Sequence, residues 1–453
     1  MRAQATGYAG DVNAETPALD RLAAISINVT HAVSGHPVCC PYRASLLTGQ
    51  YPLTHGVYIN DVPLAPNGPT IAECFAAAGY DTAYIGKWHL YGSPGGRNER
   101  RGTYIPREHG MGFDTWKAFE CNHDYMASPY YEGDDPEPKL WEGYDAIAQT
   151  DAACAYLRDG ARSETPFFLV LSWGPPHDPY DRVPEAYKAR FRDKEIELRP
   201  NVAEGDREEA TETLRGYYAH VAALDDCVAR LLATLDETGL AEDTIFVFTS
   251  DHGDMHLSQG LRTKHVPWDE SIRVPFLLRY PRAVGDVGRE VSLLLDAPDI
   301  MPTLLGLCDL PVPATVEGRD VSRRLLGQAP CDPQDAALLA VPVSYWMLRM
   351  QGMLPYRGLR TLRYTYVRNT RGPWLLYDNE VDPYQTHNLC GHVAYAGIQA
   401  ELEAELRRRL DQMGDEFLPG EAYLERDGLA HYEEVNVAWG SVPTMWGLES
   451  LSH

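Results

Sequence analysis

The sequence has no excess of positive charge, no long apolar run and no paired-cysteine motif, and each absence excludes a class of protein. Its 453 residues carry 40 Lys and Arg against 65 Asp and Glu, a formal net charge of −25, which argues against binding to nucleic acid or to an anionic membrane surface. No apolar run reaches about eighteen residues, so no transmembrane helix and no membrane partner are expected. The 9 cysteines are widely spaced, without a Cys-x-x-Cys pair, which argues against a disulfide framework.

The N-terminus also lacks the successive basic, apolar and small-residue segments of a secretory leader. Taken as written, the sequence therefore predicts a cytoplasmic protein. The localisation itself stays open, because a segment upstream of Met1 could carry such a leader.

The order of predicted elements indicates an α/β protein. From Thr16 to Leu307, continuous apolar strands alternate with amphipathic helices, which predicts a doubly wound, mostly parallel sheet. From Arg357 to Asp378 the pattern changes to short strands with period two, and a helix follows at about 396–413. We therefore predict a large α/β domain over residues 1–335 and a smaller C-terminal α+β domain over residues 336–453.

Several chemically reactive side chains directly follow predicted strands. They are Lys87, His89, His177, Asp251 and His252. In a parallel sheet the carboxyl ends of the strands meet at one edge, where ligands bind. We therefore expect these side chains to converge on one site.

The segment around Cys39 combines a cysteine with a predicted helix N-terminus. Cys39, Pro41 and Arg43 form a Cys-x-Pro-x-Arg spacing, and an apolar helical run follows and ends at Gly49. Free amides and the helix dipole at such a position favour anions and lower the pKa of a thiol. Taken alone, Cys39 could equally be a small buried apolar residue.

The longer string CCPYRASLLTGQYPLTHGV closely resembles the signature of the type I sulfatases, a family of the alkaline phosphatase superfamily. The resemblance implies an alkaline-phosphatase-like fold for the large domain. It also implies that a maturation enzyme oxidises Cys39 to formylglycine, which then serves as the nucleophile. Cys40 would be the variable position of the motif.

Further motifs match the sulfatase family in order and spacing, although each alone is more often structural. Gly-Lys-Trp-His-Leu holds Lys87 and His89, Pro-Pro-His ends in His177, and Lys264 precedes Glu-Ser-Ile-Arg-Val-Pro. The resemblance implies that Arg43, Lys87 and Lys264 stabilise charge on the sulfate oxygens, and that His89 is the base that helps to expel sulfate. His177 and Lys264 would lie near the leaving oxygen, and either could be the acid.

Asp251-His252-Gly253 resembles the metal-ligand pair of the same family, although a structural turn is the alternative. Family members usually begin with an apolar strand that ends in Asp-Asp, just before a segment like Met1-Arg2-Ala3. Neither feature is present here, and Asp11 is the first acidic residue. We therefore expect that Asp251, His252 and residue 39 alone provide ligands to Ca²⁺, with Mg²⁺ or Mn²⁺ as alternatives. Metal binding and activity should then be weak.

The sequence thus predicts a sulfatase that hydrolyses a small-molecule or saccharide sulfate ester. Two alternatives stay open: a phosphonate or phosphate ester hydrolase of the same superfamily, and an inactive binding protein that lacks the metal-ligand acids. Residues 91–145 look like a long decorated loop region that shapes the substrate pocket. Asn122, His123 and Asp124 are candidates there.

Overall fold

A computed structural model describes residues 1–161, 163–332, 335–344, 348 and 352–432 of the chain. The last part of the predicted C-terminal domain, residues 433–453, lies outside the described residues. The described part of the chain contains no helix with the length and hydrophobicity that a membrane span requires.

The strands belong to three sheets. They are β1 Ile27–Val33, β2 Asp81–Lys87, β3 Thr115–Phe119, β4 Pro129–Glu132, β5 Asp135–Leu140, β6 Phe167–Ser172, β7 Phe246–Thr249, β8 Phe276–Arg279, β9 Arg289–Asp296, β10 Ala336–Val341, β11 Tyr356–Thr361, β12 Tyr364–Asn369 and β13 Gly372–Asp378.

Most helices lie between these strands in the chain. They are α1 Pro17–Ala23, α2 Cys39–Thr48, α3 Pro52–His55, α4 Ile71–Ala77, α5 Asp145–Gly160, α6 Glu185–Phe191, α7 Arg207–Thr238, α8 Asp269–Ile272, α9 Pro281–Val284, α10 Ala297–Leu307, α11 Ser322–Leu325, α12 Ala396–Met413 and α13 Gly420–Arg426.

Two mixed sheets form the large domain. One has the strand order β7-β8-β1-β9, in which β1 is parallel to β9 and β8 is antiparallel to both β1 and β7. The other has the order β5-β4-β3-β2-β6, in which β2 is parallel to both β3 and β6. This arrangement, with a smaller antiparallel C-terminal sheet, confirms the predicted α/β fold class.

Helices cover both faces of the two sheets. On one face, apolar residues of α5 and α7 such as Leu157 and Leu231 pack against β6 and β7. On the other face, α4 and α10 pack against β6 through Phe75 and Leu304. The continuous apolar strands seen in the sequence are the result, because a strand between two helical layers is buried on both sides.

The loop prediction for residues 91–145 is wrong in part. This segment contains β3, which pairs in parallel with β2, and the ribbon of β4 and β5 that extends the sheet. The strand β5 has the sequence DPEPKL and is almost wholly exposed. Because of its prolines and charged residues, β5 lacks the alternation of apolar and polar residues from which strands are predicted.

The C-terminal sheet is antiparallel, with the order β10-β11-β12-β13. Leu406 and Leu410 of α12 pack against its apolar face, next to Leu359 and Tyr366. A buried ion pair between Arg360 of β11 and Asp269 of α8 joins this sheet to the large domain. The domain boundary at residue 335 stays a prediction.

Candidate active site

Cys39 is the first residue of α2, directly after the extended residue Val38. Only 2% of Cys39 is exposed. Its Sγ lies 3.3 Å from Nε2 of His252 and 3.8 Å from Nζ of Lys87. The predicted helix N-terminus is therefore present, and it holds the thiol in a buried, cationic environment.

The surroundings of Cys39 favour its thiolate. Burial alone would raise the pKa of the Cys39 thiol, but Lys87, Lys264 and His252 outweigh it and hold that pKa well below its usual range. A nucleophile or an anionic ester would be stabilised at the same place for the same electrostatic reason.

The neighbouring Cys40 has the opposite character. Its Sγ accepts a hydrogen bond of 3.3 Å from the backbone N–H of Asp61. Burial raises the pKa of the Cys40 thiol. The helix α2 therefore places Cys39 in the candidate site, whereas Cys40 packs in the apolar core.

Lys87 and Arg43 join the signature helix to the ends of two strands. Lys87 is the last residue of β2 and only 2% exposed. Nη1 of Arg43 donates to the Lys87 carbonyl at 2.8 Å and to Oγ of Ser172 at 2.7 Å. Nη2 of Arg43 lies 3.5 Å from Oδ2 of Asp251. These contacts indicate that Arg43 fixes the positions of Lys87 and Asp251, and its contact with sulfate oxygens stays a prediction.

Asp251 and His252 directly follow β7, as predicted. The ring of His252 is oriented by the carbonyl of Gly253, 2.8 Å from Nδ1, so that Nε2 faces Cys39. Burial would raise the pKa of Asp251, but His252 and Arg43 hold it well below its usual range. Asp251 is therefore a carboxylate at neutral pH, as a metal ligand has to be.

His177 and Lys264 also lie near Cys39. Nδ1 of His177 lies 2.9 Å from Oδ1 of Asp178, and its Nε2 contacts the ammonium of Lys264. Burial and Lys264 lower the pKa of His177, but Asp178 and Cys39 outweigh them and raise it to about 9. The ring of His123 stacks on His177 with centroids 4.7 Å apart. The candidate His123 therefore reaches the site from the segment 91–145.

His89 occupies a separate buried contact. Its Nε2 lies 3.5 Å from Oδ1 of Asp61, which also accepts a bidentate pair from Arg101. In the part of the chain that the structure describes, no hydrogen bond joins His89 to Cys39. The role of His89 as a base therefore stays a prediction, and His252 and His177 are the rings that contact Cys39.

Sequence reasoning missed Cys121, which lies beside Lys87 and His89. Burial would raise the pKa of its thiol, but His89 and Lys87 hold it well below the usual range. Its Sγ lies 3.8 Å from Nε2 of His123. The sequence feature that could have indicated Cys121 is its position two residues before the candidate His123.

The candidate metal ligands are close together but few. Ligand atoms of Cys39, His177 and His252 lie within 4.8 Å of one another, and Oδ1 of Asp251 is 3.8 Å from Nε2 of His252. Ca²⁺ takes about six to eight oxygen ligands. Among the described residues around Cys39, Asp251 is the only carboxylate placed as predicted, so this donor set does not by itself complete a calcium site.

Comparison with known proteins gives consistent matches over both domains. The family described as Sulfatase matches residues 1–310. The family described as N-sulphoglucosamine sulphohydrolase, C-terminal, matches residues 258–412. The two matches together cover all the elements that hold the site and the C-terminal sheet.

Individual proteins are similar over most of their length. An ulvan-active sulfatase of Formosa agariphila is 44% identical over 94% of this chain and 82% of its own. An endo-4-O-sulfatase of Bacteroides thetaiotaomicron is 32% identical over 83% of this chain and 80% of its own. The crystal structure of the yidJ protein of Bacteroides fragilis superimposes with a TM-score of 0.83 at 28% identity, covering 92% of this chain and 94% of that one.

Proposed function

The chain belongs to the sulfatase family and is a sulfuric ester hydrolase, and on this basis we propose that its substrate is a sulfate ester of a carbohydrate. The names of similar proteins support this substrate class: one is active on ulvan, and another, 24% identical, is an N-acetylglucosamine-6-O-sulfatase. Both names refer to carbohydrates.

The structural observation that supports a sulfate ester is the cationic environment of residue 39. Lys87, Lys264 and His252 surround this buried side chain. A sulfate group that enters the cavity would meet positive charge carried by largely buried side chains, where electrostatic stabilisation is stronger than at an exposed surface. The lysine side chains would hold the non-bridging oxygens as the S–O bond breaks.

Residue 39 would act after a maturation enzyme has converted Cys39 to formylglycine. Formylglycine would supply a hydroxyl nucleophile that is regenerated in each turnover. The position of residue 39 suits formylglycine. Residue 39 lies at the N-terminus of α2, and His252 and His177 are near enough to exchange protons with it. Arg43 would keep Lys87 and Asp251 in place through its contacts with both.

Proton transfer to the leaving sugar oxygen would come from the side of His177 and Lys264. Asp178 holds Nδ1 of His177, so its Nε2 is the nitrogen that faces the site. A ring fixed in this way can donate a proton at a defined position. We propose His177 as this acid and Lys264 as the cation that contacts the same oxygen.

Membership of the family implies a divalent metal, and Ca²⁺ is the proposed ion, with Mg²⁺ and Mn²⁺ as alternatives. Asp251, His252 and residue 39 would be the ligands from this chain. These residues do not complete a calcium site among the described ones, and the roles given above are therefore assigned to side chains and not to the metal. Metal binding should be weak when the ligands are supplied by these residues alone.

The proposal is tested by measuring sulfate release by this chain when it is produced together with a formylglycine-generating enzyme. The peptide that contains residue 39 is analysed by mass, and the protein is offered sulfated oligosaccharides, an aryl sulfate and an aryl phosphonate. We expect a formylglycine mass, preference for sulfate over phosphonate, and loss of turnover in Cys39→Ala. Equal turnover in Cys39→Ala, or faster hydrolysis of the phosphonate, would contradict the proposal.

A further inference from the structure

His177 lies in a loop that receives little support from its own backbone. The loop, residues 174–179, follows β6, has the sequence GPPHDP and contains no helix or strand. Its three prolines have no backbone N–H to donate. In the described part of the chain, no hydrogen bond between backbone groups involves residues 174–178. The position of this loop therefore depends on contacts from side chains.

The side chain of Tyr125 contacts the backbone of this loop. Its hydroxyl lies 2.9 Å from the carbonyl oxygen of His177 and 2.9 Å from that of Asp178, and its single hydrogen can be donated to either. Nδ1 of His177 lies 2.8 Å from the same Asp178 carbonyl. The hydroxyl of Tyr125 and the ring of His177 therefore meet at one carbonyl oxygen.

Tyr125 is itself fixed by two helices. It is fully buried, in the same apolar cluster as Tyr217 and Leu224 of α7. Its carbonyl accepts a hydrogen bond of 2.8 Å from the backbone N–H of Asp145, the first residue of α5. Its ring packs edge-on against His220 of α7, with centroids 5.6 Å apart. The hydroxyl of Tyr125 therefore has a defined position relative to the large domain.

Gly174 shows how closely the loop approaches this ring. A Cβ atom at position 174 would lie 2.9 Å from Cε1 of Tyr125. Carbon atoms in favourable contact are about 3.5 to 4.0 Å apart. Glycine at this position therefore lets the loop pack directly against the tyrosine.

The same segment of the chain also contacts the ring of His177. His123 precedes Tyr125 by two residues, and its ring is nearly parallel to that of His177, with an angle of 7° and centroids 4.7 Å apart. On its edge, Nε2 of His177 contacts the ammonium of Lys264. Segment 121–125 therefore contacts both the ring face of His177 and the backbone that carries it.

We infer that Tyr125 is a positioning residue for His177 and acts through the carbonyl groups of His177 and Asp178. Its hydroxyl keeps the Asp178 carbonyl where Nδ1 of His177 can donate to it, so Nε2 keeps a fixed direction toward the leaving oxygen. A proton moves from Nε2 to this oxygen as the S–O bond breaks, and the transfer is efficient only when the two atoms are aligned. The inference rests on the proposed role of His177 as the acid. Because Tyr125 is fully buried, it does not contact the substrate itself.

The test compares Tyr125→Phe, His177→Gln and the double variant with the parent, each with formylglycine at residue 39. Tyr218→Phe is the matched control, because Tyr218 is buried in the same cluster but its hydroxyl donates to Asp11 instead. The ratio kcat/KM is measured for two substrates. One is 4-nitrophenyl sulfate, whose leaving group needs little help from an acid, and the other is a sulfated oligosaccharide, whose alkoxide leaving group needs a proton.

We expect Tyr125→Phe to lower kcat/KM by about tenfold for the oligosaccharide and by less than about threefold for 4-nitrophenyl sulfate. His177→Gln should show the same selectivity with a larger loss, about 10²-fold for the oligosaccharide. The double variant should be no slower than His177→Gln, because Tyr125 acts only through that ring. Tyr218→Phe should leave the ratio between the two substrates unchanged.

A second measurement needs no turnover. Diethyl pyrocarbonate labels accessible histidine nitrogens, and peptide masses give the labelling rate of His177 relative to that of His387, whose side chain is 83% exposed. Labelling of His177 should be at least about threefold faster in Tyr125→Phe than in the parent or in Tyr218→Phe, because the loop can open more often.

Three results would overturn the inference while leaving His177 as the acid. They are equal losses for both substrates in Tyr125→Phe, a further loss in the double variant, and unchanged labelling of His177. If His177→Gln itself loses both substrates equally, the acid role of His177 fails and the inference fails with it.

Discussion

Replacing Arg360 should destabilise the protein by leaving a buried carboxylate without its main partner. Nε and Nη2 of Arg360 each donate to one carboxylate oxygen of Asp269 at 3.0 Å. Arg360 is 1% exposed and Asp269 is 3% exposed. Because Asp269 begins α8 close after Lys264, this contact also connects the C-terminal sheet to the active-site loop. We consider the variant Arg360→Met, which keeps much of the apolar volume and removes the charge.

The magnitude follows from what remains around Asp269. Removing one partner of a buried ion pair typically costs about 3 to 5 kcal/mol of unfolding free energy, because the other charge stays buried. Burial would raise the pKa of Asp269, and Arg360 is the strongest of the groups that keep it low. Nη1 of Arg273 remains 3.5 Å from Oδ2 and compensates in part. We therefore expect a loss at the lower end, about 3 kcal/mol.

Urea unfolding at pH 7, followed by circular dichroism, measures this loss for Arg360→Met, for Asp269→Asn and for the double variant. The double variant should be more stable than the sum of the single losses predicts, because the Asp269–Arg360 pair is lost only once and the part-exposed Arg273 is the remaining charge that loses a partner. Arg408→Met, which breaks an exposed pair with Glu405, is the matched control and should unfold like the parent. Additive losses, or a loss below about 1 kcal/mol in Arg360→Met, would refute the reasoning.

Three further predictions concern the site and the pH dependence. Lys264→Ala should lower kcat/KM for an aryl sulfate by about 10²- to 10³-fold. Lys188→Ala, at a partly exposed residue of α6, should leave it unchanged, and steady-state rates of both variants test this. Burial raises the pKa of Glu120 to about 7, so ionisation of Glu120 destabilises the folded state as pH rises from about 4.5 through 7. At pH 8, Glu120→Gln should therefore have a higher urea midpoint than the parent, with a gain in unfolding free energy of up to about 3 kcal/mol. Equal urea midpoints at pH 8 would contradict this. Burial lowers the pKa of His220 to about 3, so stability should fall as pH drops from about 6.5 toward 3, and urea midpoints against pH should fall less steeply in His220→Asn. The same loss is expected from other histidines whose pKa burial lowers to about 3: His55, His256 and His265.

The ends of the buried strands could be predicted from the sequence because their signal is local. Runs of apolar residues mark the cores of β2, β6 and β7, and polar residues at or shortly after the end of such a run are expected at the sheet edge. Lys87, His177 and Asp251 are placed in this way, and all three lie around one cavity. The helix predicted at about 396–413 is also present, as Ala396–Met413.

The contacts of Arg43 and His123 could not be predicted, because they depend on tertiary packing. The sequence motif assigns Arg43 to the sulfate, but only the fold shows that its Nη1 binds the Lys87 carbonyl and Ser172. His123 comes from a segment without apolar periodicity, and it stacks on His177, which lies far along the chain. Separation in sequence hides such pairs from any local pattern.

The separation of the two sheets at β6 and β7 has a related origin. A sequence shows which residues form strands, but it does not show which strands are neighbours. The prediction of one doubly wound sheet therefore agreed with the fold class, while the observed strand orders depend on pairings that close only in three dimensions. The same holds for the bracing of α8 by Arg360, which joins residues 91 positions apart.

The exposed ribbon strand β5 has a consequence for how the protein behaves at high concentration. Two of its six residues, Pro136 and Pro138, have no backbone N–H, and Glu137 and Lys139 carry charge beside them. A second molecule that approached this outer edge would find donors missing and would have to desolvate charge to add a strand. Growth of the sheet from copy to copy is therefore disfavoured at β5, so concentrated solutions should resist fibrillar or edge-to-edge self-association at that end of the molecule.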